Sequence, residues 1–311
     1  MNKYTSVRDF LKKQYEHPAT SYSTGFKEFD KWCGGIYQGL YVISARPALG
    51  KTTFCLQLAD QIAEQGIDVI FFSLEQSRFE LVTKSLARMR AVKSPKEETI
   101  NSMQLRKSEK LLTAEDFADV LDYYEKKIDP HLRIIEGNFN FNVTNIKEYV
   151  EEFVEARKTR PVVFVDYLQI LKPADSRDGT TKQNVDDAVT QLKRMSRDLG
   201  ITVIVISSIN RQSYLNPLDL DSLKESGGIE YTVDVAWGLQ LNCVDEPADK
   251  SYTRKEQVKR ELSEIPRMVR LVCLKNRYGP AFYSFPFEYR PDCDCFEPGV
   301  KETYSYSRRK R

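Results

Sequence analysis

The residues most able to do chemistry lie in one run, Ser44-Ala-Arg-Pro-Ala-Leu-Gly-Lys-Thr-Thr53. It follows a short apolar strand pattern and leads into a helical one (Phe54, Leu58, Ala59, Ile62) that stops at Gly66. Gly-Lys-Thr between a strand and a helix is the arrangement that cradles phosphate. Arg46, Pro47, Ala48, Leu49, Gly50, Lys51, Thr52 and Thr53 would surround the anion. Backbone N–H groups converge there, and the helix dipole favours negative charge. Lys51 would reach the β- and γ-phosphates, and the Thr52 hydroxyl would hold Mg²⁺. The spacing predicts a nucleoside triphosphate as ligand. The strict pattern has Gly where this chain has Ala45, so the run alone also fits a glycine-containing turn with an exposed lysine.

Hydrolysis needs a carboxylate in the metal shell and a group that orients or deprotonates water. Asp166 ends the apolar run Val162-Val-Phe-Val. A carboxylate at the carboxyl end of a central strand, beside the phosphate-binding strand, suits the metal; capping the next element is the plainer role. Glu75 follows Phe71-Phe-Ser-Leu at another strand end, on the edge where open α/β sheets bind ligands. It could polarise water near the γ-phosphate, or simply face the dipole of a helix starting near Ser77. Ser207-Ser-Ile-Asn-Arg211 ends a further strand and reads equally as a γ-phosphate sensor or a polar loop. Lys275 and Arg277 stand two residues apart at a turn, where alternate strand residues share a face. Such cations are either a solvated edge or a pair that reaches a phosphate on a neighbouring subunit.

These groups need a sheet to hold them. Residues 41–45, 69–73, 132–136, 162–166 and 201–207 read as strands separated by helical patterns. Several are apolar without alternation, as in strands buried on both faces, so a mainly parallel sheet flanked by helices follows. A core-facing helix runs from Asn184 to Leu199 and ends at Gly200. Residues 91–127 read as a charged helical insertion, and residues 245–266 as polar with a helix near 256–262. Residues 268–274 and 281–287 form a hairpin added to the sheet. Residues 6–17 read as an amphipathic helix with Val7, Phe10, Leu11 and Tyr15 on one side.

Composition narrows the field further. A net charge of +2 gives no global field that would draw the 311-residue chain onto nucleic acid or membrane, so such binding needs local patches. No apolar run is long enough to cross a bilayer and no secretory signal is evident. The six cysteines read as reduced thiols of a cytoplasmic protein. Cys293-Asp-Cys295 has no second Cys/His pair beside it, so a zinc site is not expected.

In this order the pieces resemble the carboxy-terminal ATPase domain of DnaB-type hexameric replicative helicases, which has a RecA-like fold. The matching stretches are Thr24-Gly-Phe-Lys-Glu-Phe-Asp, Gly34-Gly, Ala45-Arg-Pro-Ala-Leu-Gly-Lys-Thr-Thr-Phe54 and Phe72-Ser-Leu-Glu75. They continue with Val165-Asp-Tyr-Leu-Gln-Ile170, Ile209-Asn-Arg211, Leu223-Lys-Glu-Ser-Gly-Gly-Ile-Glu230 and Lys275-Asn-Arg-Tyr-Gly-Pro280. The family also carries Ala at the place of Ala45. The resemblance implies ATP and Mg²⁺ as cofactors, with Lys51 and Thr52 on phosphate and metal. It makes Glu75 the activator of water, Asp166 a support of the metal, and Lys275 and Arg277 the pair that reaches the ATP of the adjacent subunit. It implies a homo-oligomer, a hexameric ring, holding single-stranded DNA in its channel, with a loader or a primase as candidate partners. Lys172, Arg177 and Lys182 in the first loop and Arg211 in the second are the cations available for DNA phosphates.

Three departures stand out. Ser208 occupies the position where the family usually has Gln. The second DNA loop is short. In place of the family's amino-terminal helical domain only the helix near residues 6–17 is expected; in relatives it packs on the neighbouring subunit, while packing on its own domain is the alternative. The division expected is a linker-like helix in residues 1–22, a RecA-like ATPase domain in 23–298 and a basic tail in 299–311. The leading expectation is an ATP-dependent DNA helicase motor. A RecA-like DNA-dependent ATPase without unwinding, such as a recombination or loading factor, is the alternative. An ATP-gated assembly module is the non-enzymatic one.

Overall fold

The apolar runs singled out above become the inner strands of one sheet. The computed structural model describes residues 6–16, 21–94, 99–108, 115–137, 141–171, 180–223, 226–246 and 251–299. In chain order these form α1 (Val7–Glu16), β1 (Ser21–Tyr22), α2 (Lys27–Cys33), β2 (Ile36–Tyr37), β3 (Gly39–Ala45), α3 (Lys51–Glu64), β4 (Val69–Ser73) and α4 (Arg78–Lys93). They continue as α5 (Ser102–Lys107), α6 (Glu115–Lys127), β5 (Leu132–Glu136), α7 (Val143–Arg157), β6 (Val162–Asp166), α8 (Thr181–Leu199) and β7 (Thr202–Ser208). The last are α9 (Ser226–Thr232), β8 (Val235–Leu241), α10 (Arg254–Ser263), β9 (Arg267–Asn276), β10 (Ser284–Arg290) and β11 (Cys295–Pro298).

The main sheet has nine strands in the order β11-β10-β9-β8-β3-β7-β6-β4-β5. The run from β8 to β5 is parallel, and β9, β10 and β11 are added antiparallel. This is the expected α/β architecture with its antiparallel hairpin, β9–β10, which β11 extends. Two strands of this sheet were not expected, the parallel strand β8 and the edge strand β11.

Alternate residues of the inner strands serve opposite faces, as the period of two demands. Tyr41, Ile43, Phe71, Phe164, Ile204 and Ile206 join one core with α3, α4 and α6. Val42, Phe72, Val163, Val165, Val203 and Val205 join the other with α7 and α8. The charged insertion is a cover for the first core, because Leu105, Phe117, Val120 and Tyr124 turn inward from α5 and α6. Helix α8 starts at a capping box, Thr180 with Gln183, and stops at Gly200 in the left-handed conformation. On α1, Val7 and Leu11 are 75% and 45% exposed, so these two do not pack the helix on its own sheet.

Candidate active site

The loop between β3 and α3 is held in shape by strands on the antiparallel side. Gly50 caps α3 with φ 82°. A Cβ there would sit 2.8 Å from Tyr289 Cζ and 3.0 Å from Phe296 Cζ, so both the backbone angle and the close approach of β10 and β11 require glycine. Those two rings stack at 4.3 Å. Arg267, first in β9, donates from Nη1 to Ala48 O at 2.8 Å and lies over Tyr289. Ala48 itself has φ 65°. Pro47 and Ala48 are exposed while Leu49 is buried beneath them.

Four of the expected residues come together at the carboxyl edge. Thr52 Oγ1 donates to Asp166 Oδ2 at 2.7 Å. Lys51 Nζ folds back onto Ala45 O at 3.2 Å and Arg46 O at 3.4 Å. Burial lowers its pKa, while the charges of Asp166 and Glu75 act to raise it. Burial pushes the Asp166 carboxyl up to about 6; the Thr52 hydroxyl opposes this, and the negative charge of Glu75 adds to it. Glu75 is exposed two residues before the N-cap of α4. It does not cap that helix, because Ser77 and Glu80 form the capping box and Glu136 accepts from Arg78 N at 2.6 Å. Asp166 does not cap the next turn either: that N-cap position is Tyr167.

One positional expectation needs correcting. Asp166 is not on the strand beside the phosphate-binding strand, because β7 lies between β3 and β6. The first turn of α3 closes the gap, which is how Thr52 reaches the carboxylate.

Hydroxyl and carboxylate oxygens are hard donors, and Mg²⁺ characteristically takes one or two protein oxygens beside phosphate and water. Thr52 and Asp166 fit that ion. The Thr53 hydroxyl is engaged elsewhere, receiving Lys84 Nζ at 3.1 Å and donating to Asp294 Oδ1 at 3.4 Å. Its offer to a phosphate is therefore its backbone N–H. Arg46 also turns away from the helix start: its guanidinium lies 5.2 Å from the centre of the Tyr214 ring, and burial lowers its pKa.

Ser207 receives Gln169 Nε2 at 2.8 Å on its hydroxyl, which ties the turn after β6 to β7. Asn210 organises the second loop, accepting from Ser213 N at 2.9 Å and donating to Asp221 O at 2.8 Å. Arg211 starts the single turn that follows, exposed, and Lys182 is exposed in the first turn of α8. Both belong to segments that leave the carboxyl edge. Lys172, Arg177 and residues 300–311 of the tail lie outside the described residues.

Lys275 and Arg277 are not brought to this edge. β9 runs against β8, with Asn276 level with Val235, which in turn is level with Tyr41. Arg277 N donates to Asp234 O, and Asp234 N to Leu40 O, so the pair sits at the amino end of β3. At about 3.3 Å per residue, the stretch from Leu40 to Arg46 spans roughly 20 Å.

Residues 21–297 match the model of the DnaB-like helicase C-terminal domain. The chain belongs to that family. This DnaB-like chain is 27% identical over 264 residues to a probable replicative DNA helicase of Trieres chinensis, covering 83% of this chain and 53% of that protein. It is 25% identical over 292 residues to the replicative DNA helicase DnaB of Geobacillus stearothermophilus, covering 89% and 58%. It thus spans about half the length of the curated relatives it matches. Among solved structures, one described as an ATPase domain superposes with a TM-score of 0.75 at 23% identity, over 94% of this chain and 99% of that one. A DnaB-like replicative helicase, described with its interactions with primase, gives 0.73 at 22%, over 94% and 67%. These two share the DnaB-like chain's fold.

Sequence reasoning passed over Arg267, Tyr214, Gln169 and Asp234. The last had a signal: a lone aspartate at the head of the apolar run Val235-Ala-Trp.

Proposed function

We propose that this chain is the ATP-hydrolysing motor of a DNA helicase, with each ATP held at a junction between two copies. The observation that carries this reading is the separation of the two half-sites. Lys51, Thr52, Glu75 and Asp166 share the carboxyl edge, whereas Lys275 and Arg277 stand at the opposite edge of the same sheet. Cations that far from their own phosphate loop do not serve it, and this placement supports a role at another copy's. The edge that bears them also exposes Tyr231, Phe282 and Tyr278, at 76%, 71% and 41%, large rings suited to contact with a second subunit.

In this reading the loop N–H groups and Lys51 bind the phosphates, and Thr52 and Asp166 hold Mg²⁺. The metal, when bound, neutralises charge on the phosphate oxygens. Glu75 orients and deprotonates the attacking water. Arg277 and Lys275 stabilise the charge that develops on the neighbour's transferred phosphoryl group. Lys182, Arg211, Lys172 and Arg177 contact the backbone of single-stranded DNA without base readout. A hexameric ring in the cytoplasm, with primase or a loader as partner, is the assembly this family membership supports.

The short second loop keeps a second reading in play. Between Arg211 and Leu223 it carries Asp219 and Asp221 and no further cation, and Ser208 stands at the head of it. The alternative reading is a DNA-dependent ATPase that does not unwind. Displacement of a strand from a forked duplex supports the helicase; hydrolysis stimulated by single strands without displacement supports the second reading. The junction itself is tested by mixing. Arg277→Ala and Lys51→Ala should each be inactive alone, and mixed rings should regain hydrolysis at junctions that pair the intact halves. Absence of rescue in rings shown by mass to be mixed refutes the shared site.

A further inference from the structure

We propose that Asp234 is the positioning residue of the cation pair, holding Arg277 in the pose in which it meets the neighbour's phosphate. This rests on the junction reading above.

Asp234 lies between α9 and β8 with its side chain only 5% exposed. A carboxylate removed from water this far must be satisfied by charge and hydrogen bonds. Oδ2 accepts from Leu40 N at 2.8 Å, which fixes the carboxylate to the start of β3. Oδ1 accepts from Arg277 Nη1 at 3.2 Å, and Lys193 of α8 makes the second ion pair. The remaining support comes from the last turn of α9, whose carbonyls have no intrahelical partners. Tyr231 O accepts from Arg277 Nη2 at 3.1 Å, and Glu230 O accepts from Lys275 Nζ at 2.6 Å. Gly39 leaves the space for this: a Cβ there would stand 2.7 Å from Asp234 Oδ2 and 2.1 Å from the Tyr278 hydroxyl oxygen.

The guanidinium is therefore held on one side and open on the other. Its side chain is 49% exposed, and two of its five N–H donors are tied down. A long cation on a turn otherwise samples many rotamers, and ordering it on arrival of each phosphate would cost side-chain freedom every time. Asp234 sets that order beforehand. Lys193 keeps the carboxylate paired when Arg277 leans toward phosphate, so the buried charge is never without a counter-ion.

The test uses Asp234→Asn, whose amide can still accept from Leu40 N but presents N–H to Arg277. Misplacing a reacting group by an ångström costs about a hundredfold in rate. The expected result is a kcat lower by about that factor, with KM for ATP and the affinity for a fluorescent ADP little changed, because the P-loop half is intact. Mixed with Lys51→Ala, Asp234→Asn should regain hydrolysis; mixed with Arg277→Ala, it should not, since both lesions lie in the same half. A purely architectural role would lower nucleotide affinity along with kcat and give no rescue with either partner. If Arg277→Ala is rescued by Lys51→Ala and Asp234→Asn is not, this assignment alone fails; if neither is rescued, the junction reading fails with it. Should Asp234→Asn not fold, Asp234→Glu retains the buried charge and displaces the guanidinium by a methylene. It then takes its place in the same mixtures, with the same pattern required and wild-type kcat overturning the proposal.

Discussion

Replacing Asp166 by Asn should make the nucleotide-free protein more stable at neutral pH while removing its response to Mg²⁺. The carboxyl is pushed up to about 6 against an ordinary 3.8, chiefly by burial and secondarily by Glu75. A tenfold change in proton affinity is about 1.4 kcal/mol, so ionising Asp166 inside the fold costs on the order of 3 kcal/mol at pH 7.5. Between pH 4 and 6 the native state holds a proton that the unfolded chain has released, so stability falls as pH rises through that window. Below about pH 4 both states are protonated and the cost vanishes. Asn keeps an acceptor for the Thr52 hydroxyl, whose preference for the charged carboxylate already limits the rise to about 6. A net gain of about 2–3 kcal/mol at pH 7.5 is therefore expected, shrinking as pH falls toward 4.5. Urea unfolding followed by circular dichroism, in EDTA and at fixed protomer concentration, measures it. With Mg²⁺ and ATP the order should reverse, because the wild type gains the ligand's stabilisation. A variant less stable than wild type at pH 7.5 without ligand, or a gap flat across the range, refutes burial as the cause.

Glu75→Gln should bind ATP as tightly as wild type and lose at least roughly a hundredfold in turnover, the usual share of a general base; phosphate release at wild-type rate removes Glu75 from the chemistry. Gly50→Ala should abolish nucleotide binding and cost about 1–2 kcal/mol for the left-handed angle alone, with a further loss from displacing Tyr289. Adding Tyr289→Ala in thermal melts would recover only the steric part, and full recovery would show that the backbone angle is no obstacle. For single-stranded DNA, Lys182→Ala and Arg211→Ala should each lower the slope of log K against log salt by about 0.7. An unchanged slope in fluorescence titrations would take that residue off the DNA path.

The strands that were readable are those whose burial on both faces leaves an unbroken apolar run, such as Val162-Val-Phe-Val and Val69-Ile-Phe-Phe. β8 has the same burial but is interrupted by Gly238 and Gln240. Both interruptions answer to Leu218, in the loop that follows β7. A Cβ at Gly238 would meet Leu218 Cδ1 at 2.7 Å, and Gln240 accepts from Leu218 N at 2.8 Å. Neither partner is visible from the strand itself. β11 is four residues long and carries no alternation to detect. The place of the candidate site was legible because Gly50, Lys51, Thr52, Asp166 and Glu75 each lie where an element ends or begins. Strand order was not: β7 enters between β3 and β6 although it is made after both. The supports were equally hidden, since Arg267 and Tyr289 reach the phosphate loop from more than two hundred residues away in sequence.

The two cation sites differ in a way that the sheet's direction explains. Parallel strands put every strand-to-helix turn on one edge, so a loop that binds phosphate and the carboxylates that serve it collect there. Lys51 belongs to that edge and rests on the carbonyls of Ala45 and Arg46, a short swing from the phosphates it would meet. β9 runs the other way and delivers Lys275 and Arg277 to the far edge. A cation that swings within its own site can rest on loose carbonyl partners. One that must meet a phosphate carried by another molecule has to be in place before the two surfaces close. The Arg277 side chain makes two hydrogen bonds as Lys51 does, but one of them is an ion pair with the buried Asp234, itself anchored by Lys193, and that is the arrangement expected of the second kind.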